Sequence, residues 1–200
     1  MSPCLPRSAE RTVWACPIWP SWTREEVLAL PDDGNRYELI DGELLVSPSP
    51  RWLHQRAVLA LVRRVDPYVR QHRLGSTGFA PCDLDLEHGQ LVQPDLFVIR
   101  LRNGREPLDW AELGVPRLVS EVLSPSTAFN DRNRKRRKYQ RSRINEYWIV
   151  DTDARLIERW HPDDERPEVL IDTLTWRPET TVPPLEFSIP EYVAEVWAEQ

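Results

Sequence analysis

Apolar residues along this chain fall into short alternating runs and one stretch of helical spacing, and together these predict a mixed α/β domain. Val58, Leu61, Val62, Val65 and Val69 recur every three or four residues, which predicts a helix through about Gln71 with one face against a sheet. Tyr37-Glu38-Leu39-Ile40 and Glu43-Leu44-Leu45-Val46 flank Asp41-Gly42, the two-residue turn of a β-hairpin. A second hairpin is expected from Asp83-Leu84-Asp85-Leu86, turning at Glu87 to Gln90 and returning through Leu91-Val92 into Pro94-Asp95-Leu96-Phe97-Val98-Ile99. The run Leu118 to Leu123 reads as a central strand stopped by Ser124-Pro125-Ser126, and Glu146 to Asp151 as the next strand. Leu156 to Trp160 and Glu168 to Ile171 follow as antiparallel strands.

Shorter helices are marked by their ends. Ser21 to Glu26 supplies an N-cap and an acidic first turn before Val27, Leu28 and Leu30, and Pro31 closes that helix. Asp131 to Arg143 predicts a strongly basic helix, and the polar connection 101–116 leaves room for one helical turn around Trp110 to Leu113. This order predicts one mixed sheet flanked by helices, with no internal repeat. Residues 1–20, with Pro3, Pro6, Pro17 and Pro20 and no periodicity, read as a flexible extension, and residues 21–197 as a single domain.

Composition narrows the function classes. The 200 residues are 40% hydrophobic, enough for one packed core. No apolar run approaches the ~20 residues that cross a bilayer, and the N-terminal stretch lacks the apolar segment of a secretory signal. A cytoplasmic protein without a membrane partner is expected. Cys4, Cys16 and Cys82 are odd in number and widely spaced, so neither a zinc site nor a disulfide framework is indicated. A net charge of -6 argues against coating nucleic acid by bulk attraction, so any such contact must be local.

One local feature stands out. Of 26 basic residues, only Lys135 and Lys138 are lysine, and both lie on the basic helix. Ammonium is a compact point charge, whereas guanidinium spreads its charge over a plane, so a lysine kept among arginines suits a position beside a phosphate or a nucleophilic water. Arginine-rich coding is the plainer explanation. Glu121 lies in an apolar strand, where an ionised carboxylate is costly to bury unless a cation or donor compensates it. A solvated face or an arginine partner would also satisfy it. Asp95 opens its strand after Pro94, which is also ordinary turn chemistry. Taken together, Asp95 and Glu121 are two hard carboxylates on neighbouring strands, a pair that can bind Mg²⁺ and leave coordination positions for water and phosphate. Asp131, Lys135 and Lys138, at i, i+4 and i+7, share one helix face. The run from Arg132 to Arg143 reads either as a contact to phosphate backbone or as a solvated face. The nine tryptophans read as core and turn packing rather than base-stacking platforms.

The ordered set Tyr37 to Leu44, Ser47 to Pro50 with His54, Pro94-Asp95, Glu121 to Ser126, then Asp131, Lys135 and Tyr139, and Glu146 to Asp151 resembles the Uma2 family of the PD-(D/E)XK nuclease superfamily. The resemblance covers residues 21–197. It implies a restriction-endonuclease-like core, with Asp95 and Glu121 as metal ligands and Lys135 as the lysine. In the superfamily's usual arrangement the lysine lies two residues after the acid, where this chain has Leu123, so the charge would be supplied from the helix. Glu43 and His54 match positions that border the site.

The function expected is Mg²⁺- or Mn²⁺-dependent hydrolysis of DNA phosphodiester bonds, with Asp95, Glu121 and Lys135 catalytic and Arg134, Lys138 and Arg141 holding the DNA backbone. A non-catalytic DNA-binding or interaction module on the same fold is the alternative, since fold and activity are separable. A homodimer that brings two sites to two strands is left open.

Overall fold

The computed structural model describes residues 21–86, 89–101, 104–107 and 113–198. The N-terminal extension, the turn residues Glu87 and His88, and most of the helical turn expected around Trp110 fall outside them.

A six-stranded mixed sheet forms the centre. Its strands are β3 (Ser76–Phe79), β4 (Leu96–Ile99), β5 (Leu118–Val122), β6 (Glu146–Asp151), β7 (Leu156–Trp160) and β8 (Glu168–Leu170), in that spatial order. Only β5 and β6 run parallel. A parallel pair needs a crossover, and here the segment containing the basic helix supplies it. The hairpin of β1 (Arg36–Ile40) and β2 (Glu43–Ser47) pairs separately, with Asp41 and Gly42 at φ of 53° and 80°, both in the left-handed region that a tight hairpin turn demands.

Both faces of the sheet are covered, and strand alternation divides the core accordingly. Leu96, Val98, Leu118, Val122, Trp148 and Val150 pack with Ala57, Leu61, Val65 and Val69 of helix α2 (Trp52–Gln71). Phe97, Ile99, Val119, Tyr147 and Ile149 point the other way, toward Tyr139, Ile144 and the hairpin residues Ile40 and Leu45. Glu121 shares the parity of this second set and meets Lys135 and Tyr139 of the basic helix. Helix α1 (Arg24–Leu28) starts at a capping box: Thr23 Oγ1 accepts from the Glu26 amide at 3.2 Å, and Glu26 Oε2 accepts from the Thr23 amide at 2.8 Å.

Several elements depart from the sequence reading. Among the described residues of 83–92, pairing is limited to isolated bridges, Leu84 to Val92 and Leu39 to Leu91, and β4 pairs instead with β3. The Ser-Thr-Gly-Phe run of β3 carries too few apolar residues to announce a strand. Its glycine has a packing reason: a Cβ on Gly78 would lie 2.1 Å from the Phe97 ring. Gly78→Ala is therefore expected to cost about 1–3 kcal/mol through overpacking, read as a melting temperature lower by roughly 2–12 °C in thermal unfolding. The strands β9 (Thr173–Trp176) and β10 (Leu185–Ser188) form a second ribbon, followed by a helix at Ile189–Trp197 with Ser188 as N-cap.

The basic helix is not one regular α-helix. After a short turn, α3 (Ala128–Asn130), the chain widens into a π-helical segment over Asp131–Lys135 and then continues as α4 (Arg136–Arg141). A π-turn changes which residues share a face. Here it leaves both Asp131 and Lys135 buried.

Candidate active site

Asp95 lies immediately before β4, and β4 runs antiparallel to β5 with Leu96 opposite Ser120, so extending the register sets Asp95 opposite Glu121. Asp95 Oδ1 accepts from Arg36 Nη1 at 2.9 Å. Its Oδ2 accepts from the Val122 amide at 2.8 Å and lies 3.0 Å from His54 Nε2. Burial alone would push this carboxyl up, but the hydrogen bond from His54 and the charges of His54, Arg36 and Lys135 hold it at about 2. The sheet, the hairpin and the N-terminal turn of α2 thus converge on one carboxylate.

Lys135 forms the second focus, with a side chain only 2% exposed. Its Nζ lies 2.9 Å from Glu38 Oε2, 3.0 Å from Glu121 Oε1 and 3.6 Å from Asp131 Oδ1. Tyr139 donates its hydroxyl to the same Glu121 oxygen at 2.8 Å, and Glu38 Oε1 accepts from the Gln93 amide at 2.8 Å. Burial drives the Glu121 carboxyl well up despite the Lys135 charge, and Asp95, Asp131 and Glu38 push it further. Asp131 is raised to about 6, burial again outweighing Lys135 and the hydrogen bond from Thr127. Burial works against the Lys135 ammonium, but the surrounding carboxylates outweigh it and raise its pKa. Among the described residues, the buried carboxyl groups of Glu38, Asp95, Glu121 and Asp131 thus meet the fixed cations Lys135 and Arg36.

The structure brings Asp95, Glu121, Lys135 and His54 into this cluster and sorts the other sequence candidates differently. Glu43 stays outside it: the side chain is 60% exposed and pairs with Arg134 at 2.9 Å. Lys138, expected beside the surface arginines, is buried along with Tyr139. Arg134 and Arg141 line an open cleft of about 670 Å³ with Arg137 and Arg143, and Arg141 pairs with Asp41 across it.

Two members of the cluster, Glu38 and Arg36, were not singled out from the sequence. Glu38 lies between Tyr37 and Leu39 in an apolar hairpin strand, so the burial argument that flagged Glu121 applied to it equally. Arg36 carried no such signal.

Asp95 and Glu121 are the neighbouring-strand pair that could hold a cation. Among the described residues, no three His, Cys, Asp or Glu side chains already form a ligand set. Among the same residues, no helix is long and apolar enough to cross a membrane.

The fold is shared with a crystal structure titled as a putative nuclease belonging to DUF820 from Anabaena variabilis ATCC 29413. The match has a TM-score of 0.70 at 19% identity and covers 88% of this chain and 99% of that one. No curated protein matches the chain. The Uma2 family model, described as "Putative restriction endonuclease", matches residues 24–190, through the strands, hairpin and helices that carry the cluster. By that match, over most of its length, the chain belongs to the Uma2 family.

Proposed function

We propose that this protein is a Mg²⁺- or Mn²⁺-dependent endonuclease that hydrolyses phosphodiester bonds of DNA. The observation that carries the reading is the buried meeting of Asp95, Glu121 and Lys135, drawn from two strands and a helix, within a cluster whose carboxylates outnumber its fixed cations. Such an excess is costly in a protein interior and accords with a site adapted to an additional cation.

The donor set suits that cation. Carboxylate oxygens are the ligands that Mg²⁺ and Mn²⁺ prefer, and Mg²⁺ commonly takes one or two of them beside substrate phosphate. Asp95 and Glu121 would hold it. When bound, it supplies Lewis-acid polarisation of the phosphoryl group and a lowered pKa for the attacking water.

The chain's own residues do the rest. Arg36, His54 and the Val122 amide fix the orientation of Asp95 and keep it ionised. Tyr139 fixes the orientation of Glu121. Lys135 is held protonated and supplies a point charge that stabilises the negative charge developing on the phosphoryl oxygens. Arg134, Arg141 and their neighbours along the open cleft hold the flanking backbone, a contact that weakens with salt.

The test is a time course on supercoiled plasmid with Mg²⁺, Mn²⁺ or EDTA. Wild type is expected to nick with either metal and not in EDTA, and Asp95→Asn to lose at least about 10²-fold in rate, the scale of removing one preorganised electrostatic group. Intact plasmid in every lane overturns the reading. A gel shift without cleavage would point to the non-catalytic DNA-binding alternative.

A further inference from the structure

A second cleft, of about 210 Å³, opens beside the catalytic cluster between the N-terminus of α2 and the loop after β5. It is smaller than the roughly 300–1,000 Å³ that encloses a drug-sized ligand, so a single small group fits it better. Arg36, Arg51 and His54 line it together with Ser124, Ser126 and Thr127; among the described residues, no carboxylate lines it.

Three features give this cleft the character of an anion site. Arg51, the N-cap of the 20-residue helix α2, makes no side-chain capping hydrogen bond, so the first-turn amides keep their positive end toward the cleft. His54 is 8% exposed at its side chain, and its Nδ1 is buried without a hydrogen-bond partner among the described residues, while Nε2 is committed to Asp95. Arg36 Nε is buried and unpartnered in the same way. Buried polar atoms are nearly always paired in folded proteins, so two orphans on residues that line one cationic cleft point to a ligand that supplies a missing partner. The three hydroxyls are linked to one another, Ser124 Oγ lying 3.0 Å from both Ser126 Oγ and Thr127 Oγ1, which leaves one hydroxyl proton for a ligand; an oxyanion answers that proton, the guanidinium groups and the helix amides together.

We propose that this cleft is a phosphate subsite that seats one backbone phosphate of the DNA strand next to the scissile one, and so sets the strand's register over Asp95 and Glu121. The identity of the occupant rests on the nuclease reading; the anion site itself rests on the cleft alone. Arg36 joins the two, because its Nη1 holds Asp95 while its Nε remains for the neighbouring phosphate.

The experiment is a two-dimensional amide NMR titration of the full chain without metal, at ionic strength held constant with chloride. Inorganic phosphate and then a thymidine dinucleoside monophosphate serve as probes, and plasmid cleavage by a portion of the same preparation supplied with Mg²⁺ or Mn²⁺ is measured alongside. Both probes are expected to give saturable shifts at Trp52 to His54 and at Ser124 and Ser126 to Thr127. Arg51→Ala should weaken binding at least about tenfold, as losing a charge-assisted hydrogen bond does, and Ser126→Ala should weaken it to a smaller degree. Both residues lie on the cleft wall outside the core, so folded variants are expected, and the spectra report this directly. The subsite is overturned by no saturable shift at these amides, by equal affinity in both variants, or by shifts confined to Arg134–Arg143. Binding of inorganic phosphate but not of the dinucleotide overturns the backbone assignment. Saturable shifts with plasmid left intact overturn the nuclease reading alone, and cleaved plasmid without the shifts overturns the subsite alone.

Discussion

Replacing Lys135 by alanine is expected to abolish plasmid nicking and to destabilise the fold at the same time. The ammonium is nearly fully buried, with Glu38 and Glu121 oxygens within 3.0 Å and Asp131 at 3.6 Å. Removing it leaves three buried carboxyl groups without their shared cation. Breaking a buried ion pair from one side typically costs about 3–5 kcal/mol. Some of this is recovered because Glu121 and Asp131 already favour the protonated form and can neutralise. About 3 kcal/mol remains as the expected cost by the same reckoning, a melting temperature lower by roughly 6–12 °C in a domain of this size. Lys135→Arg tests the geometry separately: a planar guanidinium keeps the charge but cannot occupy a point between three carboxylates. It should therefore retain more stability than alanine and still fail to cleave. Lys135→Ala with wild-type stability would mean that the network does not hold the fold. Lys135→Ala with wild-type cleavage would remove the lysine from the mechanism.

Glu121→Gln is expected to separate activity from stability in the opposite sense. Burial and the neighbouring carboxylates already drive Glu121 toward its neutral form. Glutamine is the nearest neutral mimic: its carbonyl oxygen can still accept from Tyr139 and from Lys135, as Glu121 Oε1 does at 2.8 and 3.0 Å. Glutamine fixes the neutral form that the folded state already favours, while Lys135 keeps Glu38 and Asp131. Stability should stay within about 1 kcal/mol of wild type or rise, the pattern expected where a site is strained for function. Cleavage should fall by at least about 10²-fold, because a carboxylate proposed to hold the cation is lost. Thermal melts and plasmid nicking on one preparation decide it. A destabilisation of 3 kcal/mol or more would mean that the ionised carboxylate is a structural necessity. Unimpaired nicking would show that Glu121 takes no part in catalysis.

The two substitutions differ because a lone buried cation and one of several buried anions do not have the same worth. Lys135 compensates three groups, so its loss is felt by all of them. Glu121 is one of four buried carboxyls in the cluster, so its charge is a burden on the folded state.

Much of this arrangement was legible in the chain itself. The Asp-Gly hairpin, the strands at Leu118, Glu146 and Leu156, and the long helix ending at Gln71 are local matters, set by turn chemistry and periodicity, and the structure has them where the pattern puts them. A carboxylate inside an apolar strand and lysines in an arginine-rich chain likewise drew attention to Glu121 and Lys135, and those two residues meet. What local pattern cannot supply is who sits opposite whom. β3 is a strand because β4 offers it an edge and because Phe97 fills the space above Gly78, neither of which is encoded in Ser-Thr-Gly-Phe alone. The partners of Asp95, Arg36 on the hairpin and His54 on α2, come from 59 and 41 residues away. Glu38 and Glu43 are nearly indistinguishable in sequence and the register sets both on one face of the hairpin, yet Glu38 is buried on Lys135 while Glu43, beside the turn, lies exposed against Arg134, a difference that only tertiary packing makes. The π-turn at Asp131–Lys135 alters the helix phase there, and Lys138 ends buried while Arg134 and Arg141 line the open cleft. The sequence by itself determined the elements and the residue types able to do phosphoryl chemistry, because backbone geometry and side-chain chemistry are local. Only the tertiary structure decided which charges share a low-dielectric interior, since their energies depend on distances of a few ångströms between segments far apart in the chain.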